Sequence, residues 1–200
     1  HFSNNKISKI MKFDKRTNWK SLNSAELERE YNPSSVIGGD YLPYVQEYIK
    51  QSQFSKKNLK SINCQYGPKP SNTLDLFIPK SASPTAPCPL MIFIHGGYWR
   101  ALDKSDHSQL AKPFVTKDIL YFSVNHELCP NVSLSDIVLQ VTNAIIWVYN
   151  NCKKFGGNPN KISISGHSAG AHLCAMILSS DWSKFNIPID IIKGAVLISG

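Results

Sequence analysis

The sequence predicts an α/β fold in which a mostly parallel sheet carries helices on both faces. From residue 90 onwards, short apolar runs alternate with longer segments of helical composition, which is typical of strand–helix–strand units. The run at residues 90–94 is apolar at every position, as expected of a strand that is covered on both faces. The chain has 200 residues, 42% of them hydrophobic, which is enough for one sizeable core.

Helices are expected first along the chain, followed by a pair of strands. Asn23 or Ser24 can cap a short helix over residues 23–30, whose first turns carry acidic residues, where the helix dipole favours negative charge. Residues 41–53 have apolar side chains at helical spacing and predict a second helix. Two runs of alternating hydrophobicity then predict an antiparallel pair of strands at residues 61–66 and 73–78.

The later elements are expected to alternate within one domain. Residues 19–200 should form this α/β domain, whereas residues 1–18 lack a periodic apolar pattern and predict a disordered extension. Within that extension, residues 1–10 are expected to lie upstream of a natural start at Met11. Beyond the strand at residues 90–94, strands are expected at 119–124, 162–165 and 191–199, and helices near 107–117, 135–151 and 168–180.

Charge and hydropathy argue against two classes of partner. The net charge of +8 lies mainly in scattered lysines of the N-terminal part, such as Lys56, Lys57 and Lys60. Because these lysines are not interleaved with aromatic residues, we expect no nucleic-acid partner. No apolar run reaches the ~18 to 20 residues needed to span a bilayer, and we expect no membrane partner.

The cysteines point to a reducing compartment. Five are present, widely spaced and without a C-x-x-C pair, so neither a disulfide framework nor a zinc site is expected. Residues 1–10 also lack the apolar segment of a signal peptide. We therefore expect reduced thiols in the cytoplasm, with the nucleus as a second location.

The main chemical signal is a glycine-flanked serine between a predicted strand and a predicted helix. Gly166-His167-Ser168-Ala169-Gly170 has the G-x-S-x-G pattern in that context. Glycines on either side let the strand and helix pack closely and leave the serine hydroxyl accessible. The alternative is a Gly-Ser turn without chemistry, but the context favours Ser168 as a catalytic nucleophile.

A second signal follows the buried strand at residues 90–94. In a parallel sheet, the loops after the strands gather at one edge, so this loop and Ser168 should face the same crevice. Its glycines leave backbone N–H groups free to stabilise an oxyanion. We expect Gly96, Gly97 and Ala169 to donate those N–H groups, and a glycine hairpin turn is the alternative. The whole motif is His95, Gly96, Gly97, Tyr98 and Trp99.

The histidines do not show a catalytic base. We expect His95 to order its loop and His172, one helical turn after Ser168, to pack beside the serine turn. His107 and His126 have no readable partner pattern. Trp99 could line a substrate pocket or pack in the core.

With these motifs, the chain resembles α/β-hydrolases of the esterase and lipase type. It is more similar to the kynurenine formamidase (arylformamidase) family, whose oxyanion motif reads His-Gly-Gly-x-Trp. The similarity runs from about Trp19 to Gly200 and includes residues 26–34, 74–77 and 166–173. It implies hydrolysis of the small molecule N-formyl-L-kynurenine to L-kynurenine and formate in tryptophan catabolism, through a formyl-enzyme on Ser168. It implies no metal and no organic cofactor, and it allows a homodimer.

The acid and base of a serine triad are harder to find. In this fold the chain order is nucleophile, acid and then histidine, but only Asp181, Asp190 and His172 follow Ser168. We therefore expect a C-terminally incomplete fragment that lacks its last strands and helices and is nearly inactive alone. Two other functions stay open: a carboxylesterase of small acyl esters, and a non-catalytic interaction protein with a hydrolase fold.

Overall fold

The structure, a computed structural model, describes residues 19–200. The extension expected at residues 1–18 lies outside the described residues. The chain divides into two compact units, His1–Glu47 and Tyr48–Gly200, and each is described by itself.

The first unit is helical where it is described. Its main helix, α1 (Ser24–Tyr31), starts at Asn23, whose side chain accepts a hydrogen bond from the Glu26 N–H, while the Glu26 carboxylate accepts one from the Asn23 N–H. This reciprocal cap confirms the helix expected at residues 23–30. A second helix, α2 (Leu42–Asn58), begins in this unit and is longer than expected. Short 3₁₀ turns cover Trp19–Ser21 and Pro33–Ile37.

The second unit contains one six-stranded sheet. The strands are β1 (Ser61–Gln65), β2 (Thr73–Phe77), β3 (Cys88–Ile94), β4 (Leu120–Val124), β5 (Gly157–His167) and β6 (Ile192–Ile198). They lie in the order β1-β2-β4-β3-β5-β6, in which β3 pairs in parallel with β4 and β5, and β5 pairs in parallel with β6. The pairs β1–β2 and β2–β4 are antiparallel, so the expected hairpin and the mostly parallel sheet are both confirmed.

Helices cover both faces of this sheet. In β3, Ile92 and Ile94 belong to the main apolar core, which also takes in side chains of α4 (Leu134–Asn151) and α5 (Ala169–Leu178). The intervening Phe93 belongs to a smaller core with Ala111, the first residue of α3 (Ala111–Val115). Because alternate strand residues point to opposite faces, the two cores lie on opposite sides.

The helix expected near residues 107–117 is shorter than the sequence suggested. A 3₁₀ turn, Lys104–Leu110, is capped by Asp103 and precedes α3. Pro113 has no N–H and is tolerated only in the first turn of an α-helix, so regular helix starts at Ala111. The expected strand at 162–165 is longer in the structure and extends over the whole of β5.

Candidate active site

Ser168 lies on a strained turn between β5 and α5. Its backbone has φ 53° and ψ −121°, a conformation that costs a non-glycine residue about 1–3 kcal/mol. Its N–H donates to the Ile198 carbonyl at 2.7 Å, and its own carbonyl accepts from the N–H of Ala171 and His172 at 2.9 and 3.1 Å. The strand–turn–helix context expected for this serine is therefore present.

The flanking glycines are required by close packing. A Cβ on Gly166 would lie 2.4 Å from the Gly170 carbonyl oxygen, and one on Gly170 would lie 2.1 Å from the Ile94 carbonyl oxygen. Both distances are far below van der Waals contact. The serine turn is thus pressed against the end of β3 as well as against its own helix.

The structure brings the loop at residues 95–99 against the serine turn. A Cβ on Gly96 would lie 2.6 Å from the His167 carbonyl oxygen and 3.3 Å from the Ser168 Cβ. This proximity follows from the parallel pairing of β3 with β5, which places the loops after both strands at the same edge.

The loop at residues 95–99, which holds two of the three expected oxyanion donors, has a strained backbone. Gly97, Tyr98 and Trp99 have φ values of 102°, 56° and 58°, a run of left-handed residues that is uncommon outside functional sites. Among residues 19–200, no acceptor is found for the N–H groups of Gly97 and Ala169, and Ala169 is the first residue of α5, where N–H groups have no intrahelical partner.

His95 is fully buried beneath this loop, and two further histidines approach it. The His95 and His126 rings are nearly parallel, with centroids 4.3 Å apart, and His107 lies 6.2 Å from His95. Burial lowers the pKa of all three, to about 4 for His107 and for His126. This cluster was not predicted from the sequence. A usable signal was that His95 and His126 follow β3 and β4, because residues that follow parallel neighbouring strands lie at the same edge of the sheet.

The candidate acid and base residues are not bonded to Ser168 in the described part of the chain. His172 packs edge-on against Trp99, with ring centroids 5.2 Å apart, as expected for a structural residue. The Asp181 carboxylate caps the 3₁₀ turn that follows it, and Asp190 pairs with Lys193. Hydrogen bonds from these partners lower the pKa of both carboxyl groups.

Trp99 packs against the main core, while Tyr98 is exposed. The Trp99 carbonyl accepts from the Cys129 N–H at 2.8 Å, which joins the loop after β3 to the loop after β4. Core packing is therefore the role that the structure assigns to Trp99.

A buried ion pair anchors the far end of the same loop. Asp75 on β2 is fully buried and accepts hydrogen bonds from the ammonium groups of Lys104 and Lys56, both at 2.8 Å. Burial alone would raise the pKa of Asp75, but these bonds outweigh it and hold the pKa below its ordinary value. Lys104 also accepts a hydrogen bond at its carbonyl from Ser123 on β4. The sequence signal was an acid inside an apolar strand.

Within residues 19–200, no three His, Cys, Asp or Glu side chains are grouped so that they could hold a metal ion. In the same part of the chain, no helix combines the length and apolar character needed to cross a membrane.

Comparison with known proteins gives a consistent family. The BD-FAE family profile matches residues 74–191, more than half of the chain and including both site motifs. Kynurenine formamidase of Salmo salar is 34% identical over 188 residues, which cover 91% of this chain and 62% of that protein. The chain therefore spans under two thirds of the length of the relatives it matches.

Esterases are also similar. Isoprenylcysteine alpha-carbonyl methylesterase of Arabidopsis thaliana is 35% identical over 131 residues, covering 66% of this chain and 30% of that protein. Among solved structures, a Silicibacter protein assigned as a thioesterase superimposes with a TM-score of 0.65 and 33% identity, over 76% of this chain and 55% of its own. The chain therefore belongs to the BD-FAE family and has the α/β-hydrolase fold.

Proposed function

We propose that this chain supplies the nucleophile and the oxyanion donors of a serine hydrolase that converts N-formyl-L-kynurenine and water into L-kynurenine and formate. The observation that carries the proposal is the contact between the Gly96 backbone and the strained Ser168 turn. An acyl-transfer site needs a nucleophile and N–H donors on the same side of one carbonyl group.

In the proposed first step, the Ser168 hydroxyl oxygen attacks the formyl carbon and its proton passes to a histidine base. The carbonyl oxygen becomes an oxyanion, which the N–H groups of Gly96, Gly97 and Ala169 stabilise. The C–N bond then breaks, and the aromatic amine of kynurenine leaves with the proton from the base. Ser168 is left as a formyl ester.

In the proposed second step, water attacks the formyl ester and gives a proton to the same base. The bond between the formyl carbon and the Ser168 oxygen breaks, Ser168 regains a proton from the base, and formic acid leaves and ionises to formate. The steps need no redox cofactor and no metal. Loss of one N–H donor from such a site costs on the order of 10² to 10³ in rate.

The substrate is inferred from the relatives. The similarity to kynurenine formamidase covers 91% of the chain, whereas the similarity to the methylesterase covers 66%. The His95-Gly96-Gly97-Tyr98-Trp99 motif also matches the pattern of the formamidase family. Both observations favour the formamide substrate.

A carboxylesterase of small acyl esters is the second candidate. It is favoured by the methylesterase relatives and by similar esterase structures such as that of Thermogutta terrifontis. The nucleophile and the oxyanion donors would be the same, so only the substrate distinguishes the two functions.

Kinetics on two substrates would test the proposal. The native protein, purified from the cells that produce it, should have a higher kcat/KM for N-formylkynurenine than for p-nitrophenyl acetate. Ser168→Ala should lower both values about 10⁴-fold or more, while the control Ser163→Ala on β5 should retain them. The reverse substrate preference would favour the esterase, and activity retained in Ser168→Ala would contradict the proposal.

We place the protein in the cytoplasm, with the nucleus second, because its five cysteines lack the spacing of a disulfide framework. The proposed partners are the small-molecule substrate and a second copy of the chain.

A further inference from the structure

The loop that carries the proposed oxyanion donors is held by a side chain that comes directly before it. His95 follows the last residue of β3, is fully buried, and its Nδ1 lies 2.8 Å from the Gly96 carbonyl oxygen. Because a carbonyl only accepts, Nδ1 carries the proton and donates it. Burial lowers the pKa of His95, so the ring is neutral and Nε2 is unprotonated.

This hydrogen bond sets the direction of a proposed donor. The Gly96 carbonyl and the Gly97 N–H belong to one planar trans peptide unit, in which the two groups point in opposite directions. By holding the carbonyl, His95 therefore aims the Gly97 N–H away from its own ring. A tilt of that ring would turn the whole peptide plane and misdirect the N–H.

The His95 ring is supported by His126. Its ring centroid lies 4.3 Å from that of His95, with an angle of 11° between the ring planes. His126 is held in the same way as His95: it is 2% exposed, and its Nδ1 lies 2.8 Å from the carbonyl oxygen of the next residue, Glu127. The hydrogen bond to its own loop therefore orients the His126 ring independently of its contact with His95.

The sheet explains why these two rings meet. β3 and β4 are parallel neighbours, and Ile94 pairs with Val124 at their ends. His95 and His126 come one and two residues after that pair, so both lie in the loops at the same edge of the sheet. Parallel stacking of two neutral rings buries their flat faces without burying a charge, so each ring limits the tilt of the other.

We propose that His126 is a positioning residue, which holds the His95 ring by stacking and thereby keeps the Gly97 N–H aimed at the oxyanion. The inference rests on the proposed function. His126 acts through His95 and touches no reacting atom. The nitrogen-to-carbonyl bond of His126 orients its own ring, and the flat face of that ring does the positioning.

Two substitutions of similar volume distinguish the contribution of the flat ring face of His126 from that of its nitrogen atoms. His126→Phe keeps a planar ring, whereas His126→Leu fills the space without one, and both lose the bond to Glu127. We expect His126→Leu to lower kcat about tenfold or more with KM changed less than about twofold, since partial misdirection of one donor costs less than its loss. His126→Phe should stay within about threefold of the wild-type kcat.

The labelling rate of Ser168 by a fluorophosphonate gives a second readout, because the tetrahedral phosphorus oxygen uses the same donors. It should follow kcat in both variants. A control for general destabilisation is Ile145→Ala, in the buried face of α4, which should lower the melting temperature and leave kcat unchanged.

Equal kcat values in His126→Leu and His126→Phe would overturn the inference, whether both fall or neither does. A change in KM as large as that in kcat would also overturn it. Failure of the proposed function would look different, because wild-type protein would then hydrolyse neither substrate and Ser168 would not be labelled.

Discussion

Acid should destabilise this protein between pH 6.5 and 4 because two buried histidines must take up protons on unfolding. His107 is 6% exposed and packs against Phe93, and His126 is 2% exposed. Burial is the main cause that lowers the pKa of each ring to about 4 from an ordinary value of 6.5. The nearby Asp103 carboxylate raises both pKa values but does not outweigh burial.

The sign of the effect follows from proton linkage. Above pH 6.5, both histidines are neutral in the folded and unfolded chains, and pH has no effect through them. Between pH 6.5 and 4, only the unfolded chain binds the protons, so the free energy of unfolding falls as the pH falls. Below pH 4, both states are protonated and the loss is complete. At pH 4.5, each histidine should have cost about 2.5 kcal/mol, or about 5 kcal/mol together.

That sum is comparable with the whole stability of an ordinary domain, about 5–15 kcal/mol. The pKa values of Asp75 and Asp103 are held below their ordinary 3.8, so their protonation adds to the loss only at lower pH. His95, whose pKa is also lowered, adds in the same direction.

Urea unfolding followed by circular dichroism at pH 7.5, 6.0, 5.0 and 4.5 would measure the effect. His107→Phe keeps a ring against Phe93 and removes one titrating group, so its loss of stability between pH 7.5 and 4.5 should be about 2.5 kcal/mol smaller. A free energy of unfolding that is constant over this range would refute the reasoning. So would the same pH dependence in His107→Phe and the wild type.

Three further predictions concern packing, charge and capping. Gly170→Ala should lower the free energy of unfolding by more than about 3 kcal/mol, because its Cβ would lie 2.1 Å from a backbone oxygen. In the control Gly194→Ala, the atom nearest to the new Cβ is 3.4 Å away, and the free energy of unfolding should change by less than about 1 kcal/mol. Similar losses in the two variants would contradict this prediction. Asp75→Asn should lower the free energy of unfolding by about 3–5 kcal/mol, since it removes one partner of a buried ion pair. Asp190→Asn, which breaks an exposed pair, should leave the melting temperature unchanged. An Asp75→Asn protein as stable as the wild type would show that Lys104 finds another partner. Ser133→Ala removes the side-chain cap of α4 and should cost about 1 kcal/mol in urea unfolding, and no change would mean that water replaces the cap.

The element order could be derived from the sequence because it depends on local patterns. The apolar run at residues 90–94 and the capping residue of α1 are both confirmed. The helix near residues 107–117 was wrong in extent, because a capped 3₁₀ turn and a proline compete locally with regular helix. The periodic signal there was real but did not show which kind of turn would form.

The sequence by itself determined the strand–turn–helix at Ser168 and, through the rule that parallel strands end at one edge, the meeting of that turn with Gly96. Only the tertiary structure decided the stack of His95 on His126 and the burial of Asp75 with Lys104. The physical reason is range. A turn or a cap depends on neighbours a few residues away, whereas stacking and ion pairing depend on which strands are adjacent, and that order comes from packing of the whole sheet.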